Sequence, residues 1–272
     1  MTKPEPIGKK SLGQHWLKDK ASLESICQAV EVKAGDNILE IGPGTGELTK
    51  VLTSLDAKVI ALEFDESLVE PLQQKFAGTS TQIVQGDIRT FDLTKLPAGY
   101  KIVANIPYYL TAYLLRLLTE TSNQPTAASI LVQKEVAERV ASQPGQMSFI
   151  SVAAQLYYEV ELGPVIKTEM FTPPPKVDSQ VLVLNKLDQP RFKDVDYERL
   201  LKFVKAGFAQ PRKTLTNNLS SLLIVDRSII ETWLAEIDLK ITVRAQELSL
   251  ETWHNLFIIC ARSDLTHAGI NA

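Results

Sequence analysis

Short apolar runs alternate with longer segments of helical periodicity through the first half of the chain. The apolar runs lie at residues 36–42, 58–64, 81–87, 101–105 and 128–133, and the helical patterns at 46–55, 66–76, 111–120 and 134–142. Because the runs are continuously apolar rather than alternating, they predict strands that are buried on both faces. Strands that alternate with helices predict βαβ units and therefore a mostly parallel sheet.

The pattern changes after Phe149. Residues 156–166 and 177–187 predict two more strands, which brings the sheet to seven, and from about Asp188 onward the periodicity is helical. The sequence therefore predicts an α/β domain over residues 1–188 and a smaller helical domain over 189–272. Pro71 is expected to interrupt the helix at 66–76, because proline lacks the backbone N–H that a helix interior requires.

Composition restricts the classes of protein. The chain has 272 residues, 44% hydrophobic and 22% charged, which suits either one large globular domain or one large domain with a smaller one. No apolar run approaches the roughly 20 residues that span a bilayer, and the polar N-terminus lacks a signal core, so we expect a cytoplasmic protein without a membrane partner. Cys27 and Cys260 are expected to be reduced and buried. Three histidines and two cysteines without ligand spacing predict no metal site.

The net charge of −3 gives no general attraction to nucleic acid, but two segments are locally basic. The first twenty residues carry five lysines, and residues 202–213 carry Lys202, Lys205, Arg212 and Lys213 without an acid. These segments predict an RNA-binding face, and the alternative is an ordinary solvated surface. Phe203 and Phe208 lie between the basic residues, a pattern that fits either base stacking or core packing.

A glycine-rich loop follows the first predicted strand of the alternating region, with Gly42, Gly44 and Gly46 at every second position. Glycines there allow a sharp turn and a close approach of the backbone to a ligand, although a tight turn alone would also explain them. The G-x-G-x-G spacing differs from the G-x-G-x-x-G of dinucleotide loops, and the G-K-[ST] of phosphate loops is absent.

Polar side chains end the next strands. Glu63 ends the second and can accept hydrogen bonds from two ribose hydroxyls, and Asp87 ends the third and can accept one from the exocyclic amine of an adenine. Asn105 ends the fourth. Each residue alone is also explained as a turn or surface residue, but ligands of open α/β sheets bind at the carboxyl ends of strands. Together with Gly42 they predict one ligand site at that edge.

The segment Asn-Ile-Pro-Tyr-Tyr at 105–109 follows directly. Asn105 and Pro107 are turn formers, so a plain turn is one interpretation. The other is a pocket for a flat, hydrogen-bonding ring such as a nucleobase. No residues for hydride or phosphoryl transfer accompany the glycine loop.

These features resemble the class I, Rossmann-like fold of S-adenosyl-L-methionine-dependent methyltransferases. The resemblance implies that the loop with Gly42 and Gly44 holds the methionine and ribose, Glu63 the ribose and Asp87 the adenine. Residues 105–108 are similar to the motif of amino methyltransferases, which makes Asn105, Ile106, Pro107 and Tyr108 the catalytic set. A base amine would donate to the Asn105 side chain and the Ile106 carbonyl while Tyr108 stacks on the base. The product would be S-adenosyl-L-homocysteine, and His254 and His267 need no catalytic role.

Residues 9–19, 171–181, 207–219 and 244–249 further resemble the KsgA/RsmA family of small-subunit ribosomal RNA adenine dimethyltransferases. That family dimethylates N6 of two adjacent adenosines in the 3′-terminal hairpin of 16S rRNA, and the resemblance implies a monomer acting on a 30S assembly intermediate. It places cofactor contacts at His15, Leu17, Gly42, Gly44, Glu63, Asp87 and Asn105, and substrate contacts at Tyr108, Phe171, Lys205, Arg212 and Lys213.

The chain departs from the family pattern at four positions. His15 stands where Asn is common, Trp16 where Phe is, and Ile106 where Leu is; Pro211 replaces an Arg and removes a charge from the expected RNA face.

Erm enzymes, which methylate large-subunit RNA, share the Asn-Ile-Pro-Tyr motif and are the nearest alternative. A binding role, as in mitochondrial transcription factors or assembly checkpoints, is an alternative from another class. A small-molecule or DNA methyltransferase would leave the C-terminal resemblance unexplained.

Overall fold

The computed structural model of the protein describes residues 15–263, which form two compact units. The first unit comprises the described residues up to 138 together with 158–186, and the second comprises 139–157 and 187–263. The boundary predicted at residue 188 adjoins the point where the chain enters the second unit at Leu187. Residues 139–157 group with the second unit, although the predicted boundary had placed them in the α/β domain.

A seven-stranded sheet forms the centre of the first unit, in the order β4-β3-β2-β5-β6-β9-β7. Strands β2 to β6 run parallel, whereas β9 is antiparallel to both β6 and β7. This confirms the predicted α/β class and the mostly parallel sheet. The strands are β2 Asn37–Ile41, β3 Lys58–Glu63, β4 Thr81–Gln85, β5 Lys101–Asn105, β6 Ala127–Gln133, β7 Tyr158–Ile166 and β9 Ser179–Lys186.

Helices follow four of the five parallel strands, as is usual for βαβ connections, and α1 precedes the first of these strands. They are α1 Lys20–Gln28, α2 Glu47–Ser54, α3 Glu66–Lys75, α4 Thr111–Glu120 and α5 Lys134–Val140, within which the chain passes to the second unit. Helix α3 is continuous through Pro71, so the predicted interruption was wrong. Apolar residues of α1 and α2, such as Ile26 and Leu52, are fully buried in one cluster with the sheet residues Ile38 and Val103.

A small two-stranded sheet completes the first unit. Strand β1 Trp16–Leu17 pairs antiparallel with β8 Phe171–Thr172, so that Trp16 faces Thr172 and Leu17 faces Phe171 in the register. This pairing joins the N-terminal segment to the segment that precedes Pro173. The paired residues are 154 or more positions apart in the chain. Periodicity could not predict it, because strands of two residues carry no pattern.

The second unit is helical, as predicted for the C-terminal region. Its helices are α6 Phe149–Tyr157, α7 Tyr197–Gly207, α8 Leu215–Leu223, α9 Arg227–Ala235 and α10 Leu250–Arg262. They enclose a core that includes Phe203, Leu219, Trp253 and Phe257. Gly207 is required there, because a Cβ at this position would lie 2.4 Å from the Trp253 ring.

None of the helices described is long and apolar enough to cross a membrane. Three of the five N-terminal lysines, at positions 3, 9 and 10, lie outside the described residues, as do His267 and residues 9–14 of the family-like segment.

Candidate active site

A cleft opens at the carboxyl ends of the parallel strands of the first unit, with a volume of about 1100 Å³ including the space open to solvent. Gly42 follows β2, Glu63 ends β3 and Asn105 ends β5, so parallel strands bring these distant residues to one edge. Every residue of the first unit that the sequence assigned to the site lines this cleft: His15, Leu17, Gly42, Gly44, Glu63, Asp87, Asn105, Ile106, Pro107, Tyr108 and Phe171.

The glycine loop after β2 depends on left-handed backbone conformations. Gly42 and Gly44 have φ of 71° and 58°, and Gly46, at φ 80°, begins helix α2. A Cβ at Gly46 would also lie 2.8 Å from the Phe76 ring, so a larger residue would be both strained and crowded. Outside the loop, Lys75 Nζ donates to the Thr45 carbonyl at 2.9 Å. The loop is therefore fixed by packing and a charged hydrogen bond before any ligand is present.

Glu63 is buried, with 4% of its surface exposed. Its Oε2 accepts a hydrogen bond from the Gly44 N–H at 3.0 Å, and its Oε1 accepts one from the Asp65 N–H at 2.7 Å. Burial raises the pKa of Glu63 above its ordinary value, while these backbone donors partly offset the rise. The carboxylate is thus held in one orientation, and its remaining lone pairs can accept hydroxyl groups.

Asp87 stands in a different environment. It lies two residues beyond the end of β4, where it begins a turn rather than ending the strand as predicted. Arg89 donates to both of its oxygens, with Nε–Oδ1 at 3.0 Å and Nη2–Oδ2 at 2.6 Å. Hydrogen bonds from Arg89 hold the pKa of Asp87 below its ordinary value, so the carboxylate is ionised at neutral pH.

The Asn-Ile-Pro-Tyr segment forms the other side of the cleft. The backbone of Asn105 adjoins the glycine loop, since a Cβ at Gly42 would lie 3.9 Å from the Asn105 carbonyl oxygen, and the Asn105 side chain lines the cleft. Ile106 is buried, and Pro107 begins a short 3₁₀ turn over Tyr108–Leu110. The Tyr108 hydroxyl and the Ser179 Oγ are 2.7 Å apart, which fixes the position of the ring.

His15 packs beside Tyr108. The two rings are stacked, with centroids 6.0 Å apart and an angle of 24° between their planes. His15 Nδ1 lies 2.8 Å from the Pro173 carbonyl oxygen, and because a carbonyl only accepts, Nδ1 carries the proton. The ring is therefore anchored at one nitrogen. Although His15 stands where the family pattern has Asn, it still places a polar side chain in the cleft.

The cleft is also lined by residues that the sequence alone did not assign to it, and these include Trp16, Phe64, Arg89 and Tyr109. Phe64 and Tyr109 are large and exposed, at 54% and 62% of their surfaces. Exposed rings beside a pocket are candidates for base stacking. Tyr109 and Phe64 directly follow assigned residues, so adjacency was the available signal, whereas the position of Trp16 depends on the β1–β8 pairing.

The predicted RNA contacts Lys205, Arg212 and Lys213 belong to the second unit. All three are exposed, and none forms an ion pair with another described residue. The two aromatic residues of the basic segment 202–213 pack inward: Phe203 is fully buried, and the partly buried Phe208 packs on Trp253 with ring centroids 5.6 Å apart. Of the two interpretations of these aromatic residues, core packing is therefore the one that the structure supports.

The cleft residues suit a cationic, hydroxyl-bearing cofactor. The charged residues of the lining are Glu47, Glu63, Asp87 and Arg89, so acids outnumber bases. Glycines in left-handed conformations let the backbone approach a ligand, and a buried indole N–H of Trp16 lacks an acceptor within the described part of the chain. S-adenosylmethionine offers a positive charge, ribose hydroxyls and hydrogen-bond acceptors, so the residues fit it. No group of three or more His, Cys, Asp or Glu within residues 15–263 is arranged to hold a metal ion.

Comparison with known families matches nearly the whole chain. A family model described as ribosomal RNA adenine dimethylase covers residues 7–262. The ribosomal RNA small subunit methyltransferase A of Lactobacillus delbrueckii subsp. bulgaricus is 38% identical over 263 residues, which is 89% of this chain and 87% of that protein.

Solved structures with the same fold include two RNA-modifying enzymes. A dimethyladenosine transferase from Plasmodium falciparum has a TM-score of 0.76 at 23% identity, covering 92% of this chain and 98% of its own. The 23S rRNA methyltransferase ErmE has a TM-score of 0.73 at 25% identity, covering 90% and 98%. These likenesses confirm the methyltransferase fold. Because the two scores are similar, the fold alone does not separate the small-subunit type from the Erm type.

Proposed function

The chain belongs to the ribosomal RNA adenine dimethylase family, and from that premise we propose that it transfers methyl groups from S-adenosylmethionine to N6 of adenosines in small-subunit ribosomal RNA. The observation that carries the proposal is the single cleft that joins Glu63 and the glycine loop to the Asn105–Tyr108 segment. The finer assignment is two methyl groups on each of two adjacent adenosines in the 3′-terminal hairpin of 16S rRNA.

The cofactor, when bound, supplies a methyl group on a sulfonium and leaves as S-adenosylhomocysteine. On the protein side, Glu63 provides acceptors for the ribose hydroxyls, since its carboxylate is already oriented by the N–H groups of Gly44 and Asp65. Asp87 retains free lone pairs beside its bond to Arg89 and provides an acceptor for the adenine amine. Leu17 and the glycines Gly42 and Gly44 shape the wall.

The catalytic work of the chain is to orient the amine of the substrate base. We assign the Asn105 side-chain oxygen and the Ile106 carbonyl as acceptors for its two N–H bonds. Accepting both favours a pyramidal nitrogen whose lone pair is available for the new N–C bond. With the cofactor held in the cleft, Asn105 and Ile106 would keep the amine in place while the methyl group passes to nitrogen, the electron pair of the S–C bond would remain on sulfur, and the proton would leave the nitrogen for solvent. Positioning of this kind accounts for a large part of many rate enhancements.

Rings around the segment define the base side of the pocket. Tyr108 is held by Ser179 and by stacking with His15, which presents its ring as a platform for the base. Phe171 is 4% exposed and is fixed in β8, where it can close the opposite face. A target adenosine must leave its stack to enter such a pocket, and stacking on these rings compensates the cost.

We propose further that the second unit contributes to RNA binding through Lys205, Arg212 and Lys213, and that the protein acts as a monomer on a 30S assembly intermediate in the cytoplasm. The exposure of these three cations, together with the absence of ion pairs to described residues, supports phosphate contacts. Pro211 among them reduces the charge of this face relative to the family pattern.

The experiment is methyl transfer from labelled S-adenosylmethionine to undermethylated small subunits and, separately, to large-subunit RNA. We expect label on the small subunit alone. Label on large-subunit RNA would move the protein to the Erm type, which the similarity to ErmE makes the second candidate. If the protein binds small subunits tightly without transferring label, a binding role would replace the enzymatic one.

A further inference from the structure

The indole nitrogen of Trp16 is a buried donor whose purpose the fold does not explain. Trp16 is 9% exposed and lines the cleft, and its Nε1 finds no acceptor among residues 15–263. A buried N–H without an acceptor is costly, so most such groups in proteins are paired. A donor in the wall of a binding cleft can be paired by the ligand itself.

The position of the donor is well defined. A Cβ at Gly44 would lie 3.4 Å from Trp16 Nε1 and 3.5 Å from Cδ1, so the N–H edge of the indole faces the glycine loop. The backbone of Trp16 is fixed by pairing with Thr172 across the β1–β8 sheet. The donor is therefore held beside the loop rather than carried on a free side chain.

Charge indicates which acceptor the donor meets. Among the charged cleft residues that the structure describes, Arg89 is the one cation, and its guanidinium is engaged by both oxygens of Asp87. The cofactor carries one anionic group, the carboxylate of its methionine part. Because the lining, as far as residues 15–263 form it, provides no cation free of an acidic partner, that carboxylate needs neutral donors. Trp16 Nε1 is such a donor, and hydrogen bonds to charged groups are among the stronger ones.

We propose that Trp16 Nε1–H donates a hydrogen bond to the methionine carboxylate of S-adenosylmethionine and thereby selects cofactors that carry this group. The inference rests on the proposed cofactor and adds a specificity-determining residue to it. Phenylalanine at this position would keep the ring packing but lose the donor, so Trp16 gives this chain a contact that its family pattern would not.

The test crosses one substitution with one change in ligand. The dissociation constants of S-adenosylmethionine and decarboxylated S-adenosylmethionine are measured by calorimetry for the wild type and for Trp16→Phe. We expect Trp16→Phe to weaken the binding of S-adenosylmethionine about tenfold and that of the decarboxylated form by less than about twofold. Equal losses for both ligands, or no loss for either, would overturn the proposal. Trp253→Phe removes another unpaired buried indole N–H, in the second unit, and should change neither constant.

A measurement on the unmutated side chain covers the case in which Trp16→Phe does not fold. The indole N–H resonances of the ¹⁵N-labelled protein are assigned with Trp233→Phe and Trp253→Phe variants. The Trp16 resonance should move downfield with S-adenosylmethionine and much less with its decarboxylated form; equal shifts would contradict the proposal. If the wild type binds neither ligand, the proposed cofactor itself fails, whereas wild-type binding with no coupling to Trp16 defeats this inference alone.

Discussion

The two sides of the cleft are built from different chemistry. The proposed cofactor side presents ionised or buried carboxylates and backbone N–H groups, with Glu63 at the end of β3 and Asp87 two residues beyond the end of the adjacent β4. The base side presents an amide, a carbonyl and rings, and Asn105, Ile106, Pro107 and Tyr108 carry no charge. In the proposed function, the acids would match a cationic cofactor, whereas the neutral acceptors and rings would match a neutral base. The proposal thus divides one strand edge between the binding of charge and the orientation of a nucleophile.

The two carboxylates of the cofactor side also differ from each other. Glu63 is buried against neutral backbone donors and has a raised pKa, whereas Asp87 is paired with Arg89 and has a lowered one. Two carboxylates that follow neighbouring strands therefore differ in role: Glu63 is a fixed hydrogen-bond acceptor, whereas Asp87 is half of an ion pair. This difference means that their removal should have unequal effects.

Asn105→Ala should give the largest effect and should confine it to the base side. We expect the rate of methyl transfer to fall by about a hundredfold or more, because the amine loses an orienting acceptor, while the dissociation constant of S-adenosylmethionine changes less than about threefold. Single-turnover transfer to small subunits and calorimetry measure the two quantities. Asn185→Ala, on β9, is the matched control and should alter neither. An unchanged rate in Asn105→Ala would remove this residue from the catalytic set.

Glu63→Gln and Asp87→Asn should separate the two carboxylates. We expect Glu63→Gln to weaken the binding of S-adenosylmethionine by about tenfold or more, since a buried amide cannot accept from both the Gly44 and Asp65 N–H groups. We expect Asp87→Asn to weaken this binding by only about threefold. Cofactor binding to the wild type should also weaken as pH falls through the raised pKa of Glu63, because the acceptor is then protonated. Calorimetry over pH measures both effects. Equal losses in the two variants would mean that burial does not distinguish the sites.

Replacing both Arg212 and Lys213 by Gln should weaken RNA binding without affecting either side of the cleft. Removal of two phosphate contacts should lower the slope of log affinity against log salt by about 1 to 2. Fluorescence titration of the 3′-terminal hairpin at several salt concentrations provides the slope. Lys33→Gln with Lys58→Gln, in the first unit, is the control pair. An unchanged slope in the Arg212 and Lys213 variant would put the RNA face elsewhere.

Tyr108→Phe should have a small effect, because it removes the hydroxyl bound to Ser179 and keeps the ring. We expect turnover within about threefold of the wild type. Tyr108→Ala should cost about tenfold or more, since base stacking on an aromatic ring contributes roughly 1–3 kcal/mol. Steady-state transfer to small subunits distinguishes the two. If Tyr108→Phe were as damaging as Tyr108→Ala, the hydroxyl rather than the ring would be the working group.

Glu40→Gln should change stability rather than catalysis. Glu40 is fully buried in β2, neither carboxylate oxygen has a hydrogen-bond partner within the described residues, and burial raises its pKa from 4.5 to about 8. Thr49 lies close enough to offset part of the rise, although its hydroxyl does not reach hydrogen-bond geometry. Between about pH 4.5 and 8 the unfolded state releases this proton while the folded state keeps it, so the free energy of unfolding falls as pH rises.

Thermal unfolding from pH 5 to 8.5 tests this consequence. Between pH 5 and 8.5 the free energy of unfolding of Glu40→Gln should rise relative to that of the wild type by on the order of 1–3 kcal/mol. This relative rise is expected whatever the difference in stability between the two proteins at pH 5. Glu159→Gln, at an exposed position on β7, should run parallel to the wild type. Parallel curves for Glu40→Gln as well would show that Glu40 is ionised in the folded state throughout.

Much of the fold and the site could be predicted from particular residues. Continuous apolar runs gave the strands, and the polar residues that follow them converge because parallel strands end at one edge. The strand predicted over residues 156–166 begins two residues later than expected, at Tyr158, because residues 149–157 form the apolar helix α6, whose end the local pattern does not mark. The ion pair of Asp87 with Arg89 and the burial of Trp16 depend on side-chain contacts and on the β1–β8 pairing, which no spacing in the sequence encodes.

The most direct test of the central claim is the identity of the methylated nucleoside. Small subunits are treated to completion with the wild-type protein and labelled S-adenosylmethionine, digested to nucleosides and analysed by mass spectrometry. An amide and a carbonyl that orient an amine on the base side predict N6,N6-dimethyladenosine as the labelled product, with almost none from Asn105→Ala. Label on a ribose, on a ring carbon or on another base would contradict the account.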